Sequence, residues 1–260
     1  MVNRIGSYFG RALATYLEKS TGSYVAFSVI PPGRLRRTLR PGDVLLIEGN
    51  SRISSAIKYL TNSTWSHAAL YVGGPPETAL IEADLKAGVR AVPVLAYDHL
   101  NTRICRPVGL RPDDLATVIA FMRASVGKTY DLKNVFDLAR YLLPQPPVPK
   151  RWRRRMLALG SGDPTRAICS TLIAEAFDRV RYPILPEVRT EIRAETLTET
   201  GGALQRELLH IRHHSLYTPR DFDLSPYFRI VKPTVEAGFD YRNLQWYEDP
   251  ATEPEAAPHH

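Results

Sequence analysis

The sequence predicts an α+β fold with an antiparallel sheet laid down first and helices after it, and three observations predict this. Between residues 43 and 108 the apolar residues fall in short runs bounded by Gly, Pro and Asp, whereas between 112 and 180 they recur at intervals of three and four. Apolar residues make up 44% of 260, enough for a substantial core, so a disordered chain is excluded. No solenoid-type repeat is present.

The elements follow in order. Residues 2–19 read as an amphipathic helix, with Ile5, Phe9, Ala12, Leu13, Tyr16 and Leu17 at helical spacing. Its two readings are packing on the domain or a second copy, and lying on an anionic membrane surface. Pro31 to Arg40 form a basic linker, so the chain divides into residues 1–39, a main domain over 40–232, and an extension over 233–260 expected to be partly disordered. In the main domain, Asp43–Glu48 is a strand, Ser51–Leu60 a short helix and Ser66–Gly73 a second strand. The turn Gly73-Gly74-Pro75-Pro76 sends the chain back as Thr78–Ala83, and further strands fall near Val89–Leu95 and Arg103–Val108. Pro112, Asp113 and Asp114 open a helix that Gly127 ends, because Pro is tolerated in a first turn and acids suit its positive end. Helices are expected over 132–143 and from Cys169 to Val180, then Tyr227–Val231 as a late edge strand.

Composition narrows the function classes. Thirty-four Lys and Arg against 27 Asp and Glu leave +7, too small a surplus to identify a nucleic-acid partner, and no strand carries the aromatic platform of an RNA-binding sheet. Two cysteines, Cys105 and Cys169, are too few for a disulfide scaffold or a thiolate zinc site, and His210, His213 and His214 lack the accompanying carboxylate or thiol spacing, so neither metal nor cofactor is expected. No run approaches the roughly 18–20 apolar residues of a spanning helix. Arg4, Arg11, Glu18 and Lys19 interrupt the start as no secretory signal would, which makes the cytoplasm, with peripheral membrane attachment as an option, the expected location.

Two constellations carry chemistry. Cys169 stands in the first turn of a helix, where unpaired N–H groups favour the thiolate, and helical spacing places it on the face of Leu172, Ile173 and Ala176. The alternative for any such cysteine is a small buried hydrophobe, the reading given to Cys105. Far away in sequence, His67 starts a strand whose hairpin partner bears two acids. Counting from a turn centred at 75 and 76 sets Ala69 opposite Glu82 and His67 opposite Asp84. A carboxylate beside His67 would fix one tautomer and stabilise the imidazolium of a thiolate–imidazolium pair.

The blocks Arg40-Pro-Gly-Asp-Val-Leu-Leu, Ser66-His-Ala-Ala-Leu-Tyr-Val-Gly, Ile81-Glu-Ala, Gly127-Lys-Thr-Tyr-Asp and Ile168-Cys-Ser-Thr-Leu-Ile-Ala, in this order, resemble the circularly permuted papain-like cysteine hydrolases of the NlpC superfamily, closest to the YiiX-like branch. The resemblance spans roughly residues 40–180 and implies a permuted papain-like fold. It also implies Cys169 as nucleophile, His67 as general base and then acid, and Glu82 as the group that orients His67, with Asp84 in reserve. Tyr130 matches a tyrosine that lines such sites; its hydroxyl and the helix-start N–H, with Ser170 alongside, would face a developing oxyanion. Asp43 and Asp131 are read as turn and cap residues.

One segment departs from this pattern. Lys150, Arg151, Arg153, Arg154 and Arg155, with Trp152 between them, precede the nucleophile and read either as a solvated surface or as a patch for anionic lipid or a polyanionic substrate. The leading expectation is hydrolysis of an amide or ester, of peptide or cell-wall type, through a thioester acyl-enzyme. Lipid-directed acyl hydrolysis or transfer at a membrane surface, and a non-enzymatic membrane-surface binding module, are the competing classes. The oligomeric state is left open.

Overall fold

The computed structural model describes residues 19, 28, 30–31, 33–84, 87–129, 168–197, 203–210, 213 and 216–243. The expected helices over 2–18 and 132–143, Tyr130, Asp131, the Arg-rich segment and the tail from Glu248 lie outside them.

Helix α1 (Arg34–Thr38) leads into strand β1 (Val44–Ile47), helix α2 (Arg52–Thr61), and the hairpins of β2 (His67–Tyr71), β3 (Leu80–Asp84) and β4 (Gly88–Val92). After a 3₁₀ turn (Val94–Tyr97) come β5 (Thr102–Pro107), α3 (Pro112–Ser125) and α4 (Ile168–Asp178), then β6 (Glu187–Leu197) and β7 (Ala203–His210), α5 (Pro219–Leu224), β8 (Phe228–Val231) and α6 (Pro233–Glu236). Six strands form one antiparallel sheet in the order β4-β3-β2-β1-β5-β8, so the α+β expectation holds. Among the described residues no helix is long and apolar enough to cross a membrane.

Period-two alternation assigns the two faces. Leu46, Ala68, Leu70 and Ile81 pack with Met122 of α3 and Leu172, Ile173 and Phe177 of α4. Leu45, Ala69, Leu80 and Ile104 pack on the other side with Leu35, Leu39, Val94 and Leu100. Central β1 is therefore buried at all four positions, which is why it reads as an unbroken apolar run. Phe177 meets Phe228 edge-on at 5.4 Å between ring centroids, and Phe228 meets Phe222 likewise at 5.5 Å. This contact fixes α4 against β8 and α5 and so sets where the first turn of α4 falls.

The expected elements are largely found, with three differences. The strand expected to run to Leu95 stops at Val92, because Pro93 removes a ladder donor and opens the 3₁₀ turn. The stretch after Tyr182, to which the sequence reading assigns no element before Tyr227, holds the two-stranded ribbon of β6 and β7. Its sequence alternates strictly, with Glu187, Arg189 and Glu191 between Val188, Thr190 and Ile192, a strand signal masked by charge at every second position. Within the expected linker, Arg34–Thr38 is helical, and α1 packs against α6 of the C-terminal extension.

Candidate active site

The β2–β3 hairpin builds half the site. Gly73 and Gly74 take φ of 66° and 96°, the left-handed region that glycine enters without cost, and the returning strand pairs Ala69 with Glu82. The register is the one the sequence count gave. Glu82 is nevertheless the diagonal rather than the direct neighbour of His67 on that face, and it is Glu82 that the ring meets, with Nε2 2.8 Å from Oε2. Diagonal reach of this kind suits long side chains. The His67 side chain is 23% exposed and that of Glu82 only 1%.

Glu82 has two further partners. Arg90, directly opposite it on β4, donates from Nε to Oε1 at 2.9 Å, with its Nη2 also 2.9 Å from Oε1 as an ion pair, and the Tyr97 hydroxyl donates to Oε2. Asp84 accepts from Arg90 Nη2 at 3.3 Å and from the Ala87 N–H at 2.8 Å. Sequence reasoning missed both Arg90 and Tyr97. Arg90 is recoverable by extending the register count across a second hairpin; Tyr97 is not, because it ends a 3₁₀ turn, Val94–Tyr97, that begins inside the strand expected to run to Leu95 and carries no periodicity.

Helix α4 supplies the other half and packs on β2 and β3. Cys169, 5% exposed, lies at its second residue, and the His67 ring hydrogen-bonds its side chain. The Ser170 hydroxyl, fully buried, donates to the Tyr217 carbonyl at 2.8 Å and ties the helix start to the segment that opens α5. Its hydroxyl thus faces the scaffold. Thr218 and Asp221 form a capping box on α5, fixing Tyr217 in turn.

The electrostatics follow from these contacts. Burial works against a charged imidazole, but the charge and hydrogen bond of Cys169, joined by those of Glu82, outweigh it and push His67 up to about 10. Burial likewise opposes ionisation of Glu82, yet the hydrogen bond and charge of His67, the Tyr97 hydroxyl and the Arg90 charge bring it down to about 2. Burial and the Glu82 charge raise Tyr97, which therefore stays a protonated donor. The arrangement favours an imidazolium between a carboxylate and a sulfur, the charge pattern of an activated thiol.

Other expected residues have plainer roles. Cys105, fully buried in β5, has its thiol pKa raised first by burial and then by the Asp223 charge, in keeping with a core residue. Asp43 closes the turn before β1 by accepting from the Arg40 N–H at 2.8 Å, and also takes a forked pair from Arg106, both contacts 2.7 Å. Among the described residues no cluster of three or more His, Cys, Asp or Glu side chains stands ready to hold a metal. A separate cleft of about 910 Å³, between Lys58 and Trp65 on one side and Arg220 and Val235 on the other, is lined by none of Cys169, His67 and Glu82.

Comparison with known proteins bears on this site. Residues 38–141, which include His67, Glu82, Arg90 and Tyr97, match the family described as permuted papain-like amidase enzymes, YaeF/YiiX, C92 family. Cys169 lies beyond the matched residues. The chain is 23% identical over 190 residues to the probable lipoprotein peptidase YaeF of Escherichia coli strain K12, covering 67% of this chain and 64% of that protein. It thus spans about 64% of the length of this curated relative. A crystal structure of the metalloprotein yiiX from Escherichia coli O157:H7 superposes with a TM-score of 0.44 at 15% identity, over 74% of this chain and 96% of that one. The match of residues 38–141 bears out the permuted papain-like resemblance read from the sequence.

Proposed function

We propose that the chain is a cysteine hydrolase that cleaves an amide bond of a peptide-type substrate through a thioester, with Cys169 as nucleophile, His67 as base and acid, and Glu82 orienting His67. The observation that carries this reading is the His67 ring hydrogen-bonded on one side to a buried, ionised Glu82 and on the other to Cys169 at a helix start. An amide is favoured over an ester because the matched family is described as amidases and the relative as a peptidase. No observation among the described residues favours a lipid substrate.

The Cys169 thiolate attacks the carbonyl carbon, and the electron pair moves onto oxygen. Backbone N–H groups in the first turn of α4, beside Cys169, are the candidate donors to that oxyanion, with Tyr130 as the side-chain candidate. The His67 imidazolium gives its proton to the departing nitrogen, the C–N bond breaks and the thioester remains. His67, now neutral, takes a proton from water as the water attacks. The carboxylic acid leaves, and the sulfur departs as thiolate beside the regenerated imidazolium. Glu82 stays ionised throughout and keeps one ring nitrogen occupied, so the other remains directed at sulfur.

The test is labelling of the full chain with an electrophilic peptide-amide analogue, comparing Cys169→Ala, Cys105→Ala and His67→Ala. Covalent labelling lost in Cys169→Ala, slowed in His67→Ala and kept in Cys105→Ala is expected. Labelling that survives Cys169→Ala and disappears with Cys105→Ala overturns the assignment.

A further inference from the structure

We propose that Tyr97 and Arg90, with Asp84 acting through Arg90, are positioning residues that lock the Glu82 carboxylate with Oε2 aimed at His67. The inference rests on the catalytic reading above and adds to it the groups that set how firmly the Cys169–His67 pair is held.

A glutamate has a broad, nearly two-fold terminal torsion, so a carboxylate with a single partner would swing away from His67. Here each oxygen carries two contacts. Oε1 takes the Nε and Nη2 of Arg90, both at 2.9 Å; Oε2 takes the Tyr97 hydroxyl and His67 Nε2, the latter at 2.8 Å. Three hydrogen bonds and one ion-pair contact thus hold the two oxygens, and any rotation would break contacts on both. The two clamps arrive from separate elements, Arg90 from directly opposite on β4 and Tyr97 from the 3₁₀ turn after Pro93. Arg90 is itself held, because Nη2 lies 3.3 Å from Asp84, whose other oxygen accepts the Ala87 N–H of the β3–β4 turn. Asp84 was the reserve orienter of His67 in the sequence. In the fold it supports the residue that pins the true one.

Arg90 exerts two effects of opposite sign. As a nearby cation it disfavours a charged His67, whereas as a fork it aims the anion that favours one. If aim dominates, removing the fork weakens the imidazolium despite removing a positive charge. The groups facing this network are His67 from β2, Glu82 and Asp84 from β3, Arg90 from β4, Tyr97 from the 3₁₀ turn and Cys169 from α4.

The experiment is the pH profile of iodoacetamide alkylation of the full chain, read at Cys169 by peptide mass spectrometry, with thermal midpoints alongside. The wild-type profile is the reference against which each variant is read. Tyr97→Phe and Arg90→Gln should each move the acid limb up by about one pH unit, making alkylation about tenfold slower on that limb. Arg90→Lys, which keeps charge but not the fork, should fall between wild type and Arg90→Gln, and Asp84→Asn should move the limb less than either Arg90 variant. A limb unchanged in Tyr97→Phe and Arg90→Gln, whatever their thermal midpoints, overturns the proposal, and a limb moved down in Arg90→Gln shows that Arg90 acts only as a charge and overturns its part. Peptide-amide analogue labelling that survives Cys169→Ala refutes the catalytic reading instead, so the two failures are distinct.

Discussion

Two regions of the one sheet carry the same three residue types and use them differently. On the β1–β5 side stand Asp43, Arg106 and Cys105; on the β2–β3–β4 side stand Glu82, Arg90 and, from α4, Cys169. Both acids are 1% exposed and both are paired with an arginine, Asp43 through a fork across its two oxygens and Glu82 through Oε1 alone. The difference is the remaining partner. Asp43 turns to the Arg40 backbone N–H, a group that never titrates, whereas Glu82 turns to His67, which titrates and touches a sulfur. Burial with an ion pair is therefore common to both acids, and under the proposed reading the titratable third partner is what separates them.

The largest expected effect tests that difference at Glu82. Glu82→Gln preserves shape but offers an amide where a charge stood, so the imidazolium loses its counter-ion, and amide hydrolysis should fall on the order of 10³-fold. The fold should survive, since Tyr97 can still donate to the amide oxygen. Steady-state kinetics with circular dichroism checks both, and near-normal turnover would break the comparison at its active end.

Asp43→Ala should do the reverse. It leaves the Arg106 guanidinium, its side chain 11% exposed, without its counter-charge in the turn that opens the central strand. A cost of about 3–5 kcal/mol in stability is expected, as for other broken buried pairs, with the pH dependence of Cys169 alkylation unchanged. Urea unfolding measures the first. A moved alkylation profile would show that the two sides of the sheet are coupled.

Much of this contrast is legible in the sequence, and the limits are physical. The Gly-Gly-Pro-Pro turn fixes a two-stranded register, so Ala69 opposite Glu82 could be counted. Which of two acids on one face meets His67 depends on side-chain reach across the diagonal, which a register count does not contain; the ring meets Glu82, the acid of the family block, where the count leans toward Asp84. Tyr97 arrives from an irregular turn without periodicity. The β6–β7 ribbon was passed over because alternating charge was weighed as polarity rather than as period two. The different settings of Cys169 and Cys105, one at a helix start and the other within a strand, are legible in the sequence.

A subtler effect concerns stability against pH. His67 sits at about 10 in the folded chain against an ordinary 6.5, so its contribution is complete below about 6.5 and is lost as pH rises through about 10. Glu82 sits at about 2 against 4.5, so its contribution is present above about 4.5 and is lost as pH falls through about 2. Together they support the fold fully between about 4.5 and 6.5. Cys169→Ala removes the leading influences that raise His67, so the alkaline decline should begin at lower pH than in wild type. Thermal midpoints across pH 5–10 read this, and superimposable curves above pH 7 would deny the contact between sulfur and ring.

The smallest expected effect lies at Cys105, the counterpart of Cys169 on the quiet side. Its thiol is packed between Val44 and Ile230 in the ladder, with no exposure and a pKa raised by burial, so it offers packing and no chemistry. Cys105→Ala should cost about 1 kcal/mol, the common outcome for a small core truncation, and leave turnover and Cys169 alkylation as in wild type. Its value is as a control on the comparison itself. If this substitution changed the alkylation profile of Cys169, the two thiols would share an environment through the sheet, and the third partner of the acid would not be what separates an active cysteine from an inert one.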